Sequence, residues 1–195
     1  MDMRASAQAL AVPDGTFVAY IRIRQSRPNA GMPDDRGWRM WNTQDEEEGR
    51  LLDTLFRISG MSGPPRQDDY QLVANCLHHR RSEIRERAIL IGGLRWQDPT
   101  VLGYFQGALV GGGEPDDENR RLMIECLVLH RVDQQSDPEP LVTFLRRLAF
   151  DLSPDSMTRK AAQAGVDRLR GRMDAQAYAN LDYDQLPTQA DPRPS

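Results

Sequence analysis

Every cysteine and histidine in this 195-residue chain falls in one of two short stretches: Cys76, His78 and His79, then Cys126 and His130. On helices, Cys126 and His130 (four apart) and Cys76 and His79 (three apart) would each share a face. Two cysteines and two histidines make a closed tetrahedral zinc set if the two helices meet. The spacing matches no recognised zinc pattern. The plainer reading makes both cysteines small apolar core residues, with the histidines at helix C-termini, where they suit the dipole. A Cys–His nucleophile pair would also need a third group to orient the imidazole, and none is evident. The expectation is therefore no catalytic residue, no metal and no cofactor.

Other chemical motifs are missing. Gly111-Gly-Gly113 is followed by Glu114 and Pro115, whereas a phosphate-binding loop needs a lysine directly after its glycines. The run reads as a helix stop. Gly60-Met-Ser-Gly63 lacks the spacing of a nucleophile elbow and reads as a turn. The acid clusters Asp68-Asp69 and Asp116-Asp117-Glu118 stand at expected helix starts, where capping accounts for them. Asp182-Tyr-Asp184 could hold a divalent ion, but nothing nearby supplies the other ligands.

Of 25 basic residues, all but Lys160 are arginine, so any chemistry that needs a lysine depends on that one side chain. The formal charge is -4, which argues against a general nucleic-acid binder. Residues 70–150 hold eleven acids and ten arginines, the balance expected of solvated helix faces. No apolar run approaches the roughly 20 residues needed to span a bilayer. The start, Met1-Asp-Met-Arg, lacks a basic residue followed by an apolar stretch. A cytoplasmic protein with reduced thiols is expected.

The elements that must position these residues are mostly helical. Residues 1–43 read as an N-terminal extension. A strand is possible at 16–24, where Phe17, Ala19, Ile21 and Ile23 share one face, followed by a loop at 25–37 and then Trp38 and Trp41. Residues 44–182 read as helix after helix. The first opens on Asp45-Glu-Glu-Glu48 and carries Leu51, Leu52, Leu55, Phe56 and Ile58. Asp98-Pro99, Asp137-Pro138 and Ser153-Pro154 each give a cap followed by proline at the first helical position. Asp68 or Asp69, Ser82 and Asp116 or Asp117 open further segments, and a short helix is expected over Asp174–Leu181. Gly92-Gly93 inside a helix implies close packing or a kink. Residues 183–195, rich in proline, read as a disordered tail.

The start signals recur. Asp98-Pro99 and Asp137-Pro138 are 39 apart, and the caps Ser82, Asp117 and Asp155 are 35 and 38 apart. Helices therefore come in pairs at the period of helical-hairpin repeats. Each pair's second helix carries arginine near its start: Arg85-Glu-Arg-Ala-Ile89, Arg120-Arg-Leu-Met-Ile124 and Arg159-Lys-Ala-Ala162. On these residues the chain resembles the HEAT-repeat superfamily over 68–171, about three hairpins. The first pair lacks the Asp-Pro opening. The resemblance implies an all-α fold, a short right-handed α-solenoid of stacked antiparallel helix pairs.

In such a stack the second helices line a concave face, where Arg85, Arg87, Arg120, Arg121 and Arg159 would form a ladder of rigid donor forks. Trp96 would add an aromatic anchor. The competing reading pairs these arginines locally, Glu83 with Arg87 and Arg121 with Glu125 at four-residue spacing. The expected function is a non-enzymatic module of the adaptor, assembly-factor or toxin-neutralising kind, binding a protein partner on that face. Two alternatives come from other classes: a HEAT-like enzyme or DNA-acting protein using the arginine ladder, and a zinc-stabilised structural protein. The edge of the 16–24 strand leaves dimerisation open.

Overall fold

A computed structural model describes residues 43–153, 156–183 and 185–186. The chain divides into two compact units, Met1–Thr43 and Gln44–Ser195, and the fold described below is that of the second. The expected strand at 16–24, the loop at 25–37, the two tryptophans that follow it and the tail from 187 lie outside the described residues.

Every regular element among the described residues is helical. Helix α1 spans Thr43–Gly60, α2 Gln67–Cys76 and α3 Ser82–Ile89, which runs on into a π-helical turn over Leu90–Arg95. Then come α4 (Pro99–Gly111), α5 (Asp117–Asp133), α6 (Glu139–Phe150), α7 (Met157–Leu169) and a five-residue α8 (Ala175–Ala179).

Local chemistry explains several boundaries. Asp98 caps α4 by accepting from the amides of Thr100 (2.9 Å) and Val101 (3.1 Å), with Pro99 directly behind it. The helix ends where Gly112 turns left-handed (φ 68°) and the Gly113 amide closes on the Ala108 carbonyl at 3.0 Å. Asp116 caps α5 through the Asn119 amide (2.9 Å), and Asp174 caps α8 through Ala177 (2.7 Å). At α6 the Asp137 carboxylate accepts from the Glu139 amide (3.1 Å), so the helix begins one residue later than the Asp-Pro signal suggests.

Two expected caps are corrected. Ser82 lies inside α3, and the residue before it, Arg81, makes no side-chain cap. Asp117 does not cap its own helix. Its carboxylate caps α7 instead, accepting from the Met157 amide (3.1 Å) and from the Thr158 hydroxyl.

Helices α3, α5 and α7 run side by side in the same direction. The Asn119 side chain donates to the Ser82 carbonyl, joining the starts of α5 and α3 across 37 residues (3.1 Å). Gln97, just beyond α3, reaches Asp133 at the end of α5 (2.8 Å). The Asp117 contacts join the starts of α5 and α7 in the same way. Helices α4 and α6 pack against the members of this row that follow them. Their burial patterns coincide: each residue from 99 to 110 has the burial class of the residue forty positions later, in 139–150.

The Gly92-Gly93 pair lets α3 into this row. A β-carbon at Gly93 would lie 2.9 Å from Cys126 Sγ and closer still to the Phe105 ring, and one at Gly92 would lie 3.0 Å from Val101. The π turn falls at the same place, with the Trp96 amide donating to the Ile91 carbonyl at 2.9 Å. Close packing and irregular winding therefore occur together. The core is Leu55, Ile58, Val73, Ile84, Ile89, Ile91, Phe105, Leu109, Leu122 to Ile124, Val128, Leu145 and the alanines of α7.

Candidate functional site

The arginines near the starts of α3, α5 and α7 turn inward. Arg85 is buried and grips Glu114 with both prongs of its guanidinium, Nε to Oε2 at 2.8 Å and Nη2 to Oε1 at 2.7 Å. Its remaining nitrogen donates to the carbonyls of His79 (2.8 Å) and Arg80 (3.0 Å) in the loop before α3. The Glu114 bond holds Arg85 protonated more firmly than usual. Glu114 in turn accepts from the Asp116 amide at 2.9 Å, which ties the α4–α5 loop to the same group. Arg159, also buried, reaches back to the Leu152 carbonyl (3.0 Å) ahead of α7. Arg85 and Arg159 each fix the loop that delivers their own helix.

Arg121 is buried and pairs with Glu118 (2.9 Å) and with Glu125. Its guanidinium lies over the ring of Tyr183, 5.2 Å from the centroid. The Tyr183 hydroxyl donates to Glu125 (2.9 Å), and the Lys160 ammonium donates to the Tyr183 carbonyl (3.0 Å). Burial, with the charge of Glu125 beside it, pushes the Tyr183 phenol well above its ordinary pKa. Tyr183 is 8% exposed, so the chain stays folded past 182 and the expected tail cannot begin at 183.

Of the expected ladder of five arginines, Arg85, Arg121 and Arg159 are buried and engaged within the chain, so these three do not present open donor forks. The local pairing of Arg121 with Glu125 is present; the partner of Arg85 is a loop residue 29 positions away. Arg87 is half-buried over the Phe56 ring (4.3 Å). Trp96 is half-buried and stacks on Tyr70 (6.2 Å between centroids), whose hydroxyl donates to Asp98. Arg120 is half-buried, and its Nε is buried without a hydrogen-bond partner among the described residues.

A third ionic cluster had no sequence signal of its own. Glu48 on α1, expected only as part of an acidic first turn, is buried and accepts from Arg81 (2.8 Å) and Arg80 (2.9 Å). These two bonds, Arg81 first, hold its carboxyl below the usual range.

The cysteines and histidines have separate surroundings. Cys126 lies against the Ile89 carbonyl (4.0 Å) and His130 beside Gln97 (3.3 Å). His78 meets the edge of Tyr104 (4.8 Å), and His79 Nδ1 accepts from the Arg81 amide (3.1 Å). Among the described residues no group of three or more His, Cys, Asp or Glu side chains is placed to hold a metal ion. Burial pushes the Cys76 thiol up to about 11 and the Cys126 thiol higher, so both are protonated at neutral pH and poor nucleophiles. Burial, with Arg131 nearby, lowers the His130 pKa. No helix among the described residues is long and apolar enough to cross a membrane. No family model, curated protein or solved structure matches the chain.

Proposed function

We propose that residues 44–186 form a short right-handed solenoid of HEAT-like hairpins, and that it works as a non-enzymatic protein-binding module on the layer made by α3, α5 and α7. The observation that carries this reading is the recurrence at forty residues. The burial of α4 repeats in α6 position by position, and the helices after them lie parallel and in register. Stacks of this kind offer a continuous face that suits extended partners.

The fixed arginines narrow the docking set. Arg85, Arg121 and Arg159 hold the layer together, which leaves Arg120, Arg87 and Trp96 as the half-buried groups able to meet a partner. Pairing Arg85 with Glu114, and Arg121 with Glu118 and Glu125, neutralises two of these cations internally and takes them away from phosphates, which favours a protein partner over nucleic acid. The test is affinity capture from host lysate with the wild-type chain beside Arg120→Glu and Trp96→Ala variants of unchanged helicity. A single stoichiometric protein, lost with both variants, is expected. Capture that neither variant affects, or none at all, overturns the reading.

A further inference from the structure

Among the described residues three large apolar side chains stand open to solvent: Phe56 on α1 (42% exposed), Val110 on α4 (73%) and Phe150 on α6 (71%). Val110 and Phe150 are forty residues apart and hold equivalent exposed places near the ends of their helices. One turn before them stand Gln106 and Gly107 on α4 and Arg146 and Arg147 on α6, all exposed. No ion pair or hydrogen bond holds either guanidinium among the described residues. Helix α4 contains no charged residue, and the one acid of α6, Glu139, is held by Arg170 at 3.1 Å. A β-carbon at Gly103 or Gly107 would meet nothing within 4 Å, so nothing covers this side of α4. The open side of the two helices is apolar and cationic, in a chain whose net charge is -4.

Helix α1 has the opposite make-up. Asp45, Gly49, Asp53, Phe56 and Gly60 recur at helical spacing along one stripe, and all are exposed. The arginines of α1 are engaged elsewhere, Arg50 with Glu46 (3.6 Å) and Arg57 with Asp69 (3.9 Å). Asp45 and Asp53 have no such partner among the described residues. Arg87 lies over one side of the Phe56 ring and leaves the rest open. Exposed apolar side chains set among charges of one sign mark a contact surface whose partner carries the other sign. Two α4–α6 faces would set arginine against arginine, whereas the α1 stripe is complementary and present on every copy. We propose that the α1 stripe of one chain docks on the α4–α6 face of a second copy, Phe56 against Val110 and Phe150, and Asp45 and Asp53 against Arg146 and Arg147. The contact is heterologous, two different patches meeting between identical chains. It uses the layer opposite the docking face assigned above and does not depend on that reading.

The test is the mass of the full chain in solution, followed by sedimentation as concentration rises over about a hundredfold. Wild type is expected to rise above the mass of one chain, and less so at about 1 M salt, where charges are screened beyond about 3 Å. Two variants change one patch each: Arg146→Glu with Arg147→Glu, and Asp45→Asn with Asp53→Arg. Each alone is expected to associate at least about tenfold more weakly, because attraction between exposed charges becomes repulsion. An equimolar mixture should recover association, since the first keeps the acidic stripe and the second the basic face. Phe150→Ser, which leaves the charge unchanged, should also weaken association. A wild-type mass of one chain throughout, variants that associate as wild type does, or a mixture that stays at one chain overturns the proposal. All five positions are exposed, and helicity by circular dichroism confirms that each variant folds. Failure here leaves the lysate capture to decide the docking reading by itself.

Discussion

Glu114 is 1% exposed and both its oxygens are committed, to Arg85 and to the Asp116 amide. Truncating it strands a buried guanidinium, and breaking a buried pair from one side costs about 3–5 kcal/mol. Glu114→Ala is therefore expected to lower the unfolding free energy by that order in urea titration. The double variant Arg85→Met, Glu114→Leu should recover most of the loss, because it removes both charges and fills the volume. Glu48 acts through pH. Its carboxyl pKa is depressed by Arg81 and Arg80, so the ionised form favours the folded chain. That stabilisation is complete above the unfolded carboxylate's value of about 4.3 and is lost as pH falls through the lower folded value. Glu48→Gln is expected to unfold at a lower temperature than wild type at pH 7, with the gap narrowing as pH falls below the ordinary carboxylate range in a thermal melt series. Neither role was legible in the sequence. Glu114 reads as the residue after a glycine stop, and its significance comes from an arginine 29 positions away that only the packing of α3 on α5 brings near. The burial of both cysteines was legible, because small apolar residues on a helical stripe need no distant partner to explain them.

Glycine has opposite consequences on neighbouring helices. Gly93 lies where α3 presses on α4 and α5, and a methyl there meets the Phe105 ring and Cys126 Sγ. Gly93→Ala should destabilise by about 1–3 kcal/mol, the usual range for overpacking. Gly103 and Gly107 stand on the outer side of α4, where a β-carbon would meet nothing within 4 Å. Replacing either with alanine should stabilise by about 0.5–1 kcal/mol each, through the entropy that glycine loses in a helix interior. Urea midpoints for the three single variants check both signs in one experiment. Helix starts were legible wherever the cap is local, as at Asp98, Asp116 and Asp174. Two residues were misread. Asp117 serves the start of α7, forty residues later, and not its own helix, and Ser82 lies inside α3 behind Arg81, which makes no side-chain cap; Pro154 and Asp155, in the opening expected before α7, lie outside the described residues. Local sequence carries no signal for a carboxylate that serves the next helix in the row.

At the scale of the whole described unit, α5 is the middle of the structure. It lies between α3 and α7, and Asn119 and the run from Arg121 to Val128 are buried on all sides. The all-helical character was legible because apolar stripes and Asp-Pro openings recur, the latter 39 residues apart; the closing of the α5–α7 face by Tyr183 was not, since the proline-rich composition beyond it reads as unfolded. This arrangement sets an order of local opening. Amides exchange with solvent through partial unfolding whose free energy runs from near zero at frayed ends to the global value in the core. Hydrogen exchange followed by mass spectrometry is expected to show the slowest amides within 121–128 and in the adjoining stretch of α3. Helix α8 and residues 181–186 should exchange first, before α7 loosens. Substituting Asp117 with alanine removes the cap that α5 supplies to α7, so it should speed exchange across the first turn of α7 while leaving the α3 amides unchanged. Equal acceleration in α3 and α7 would mean that the row opens as one block, and the idea of a stack whose members lean only on their neighbours would then be wrong.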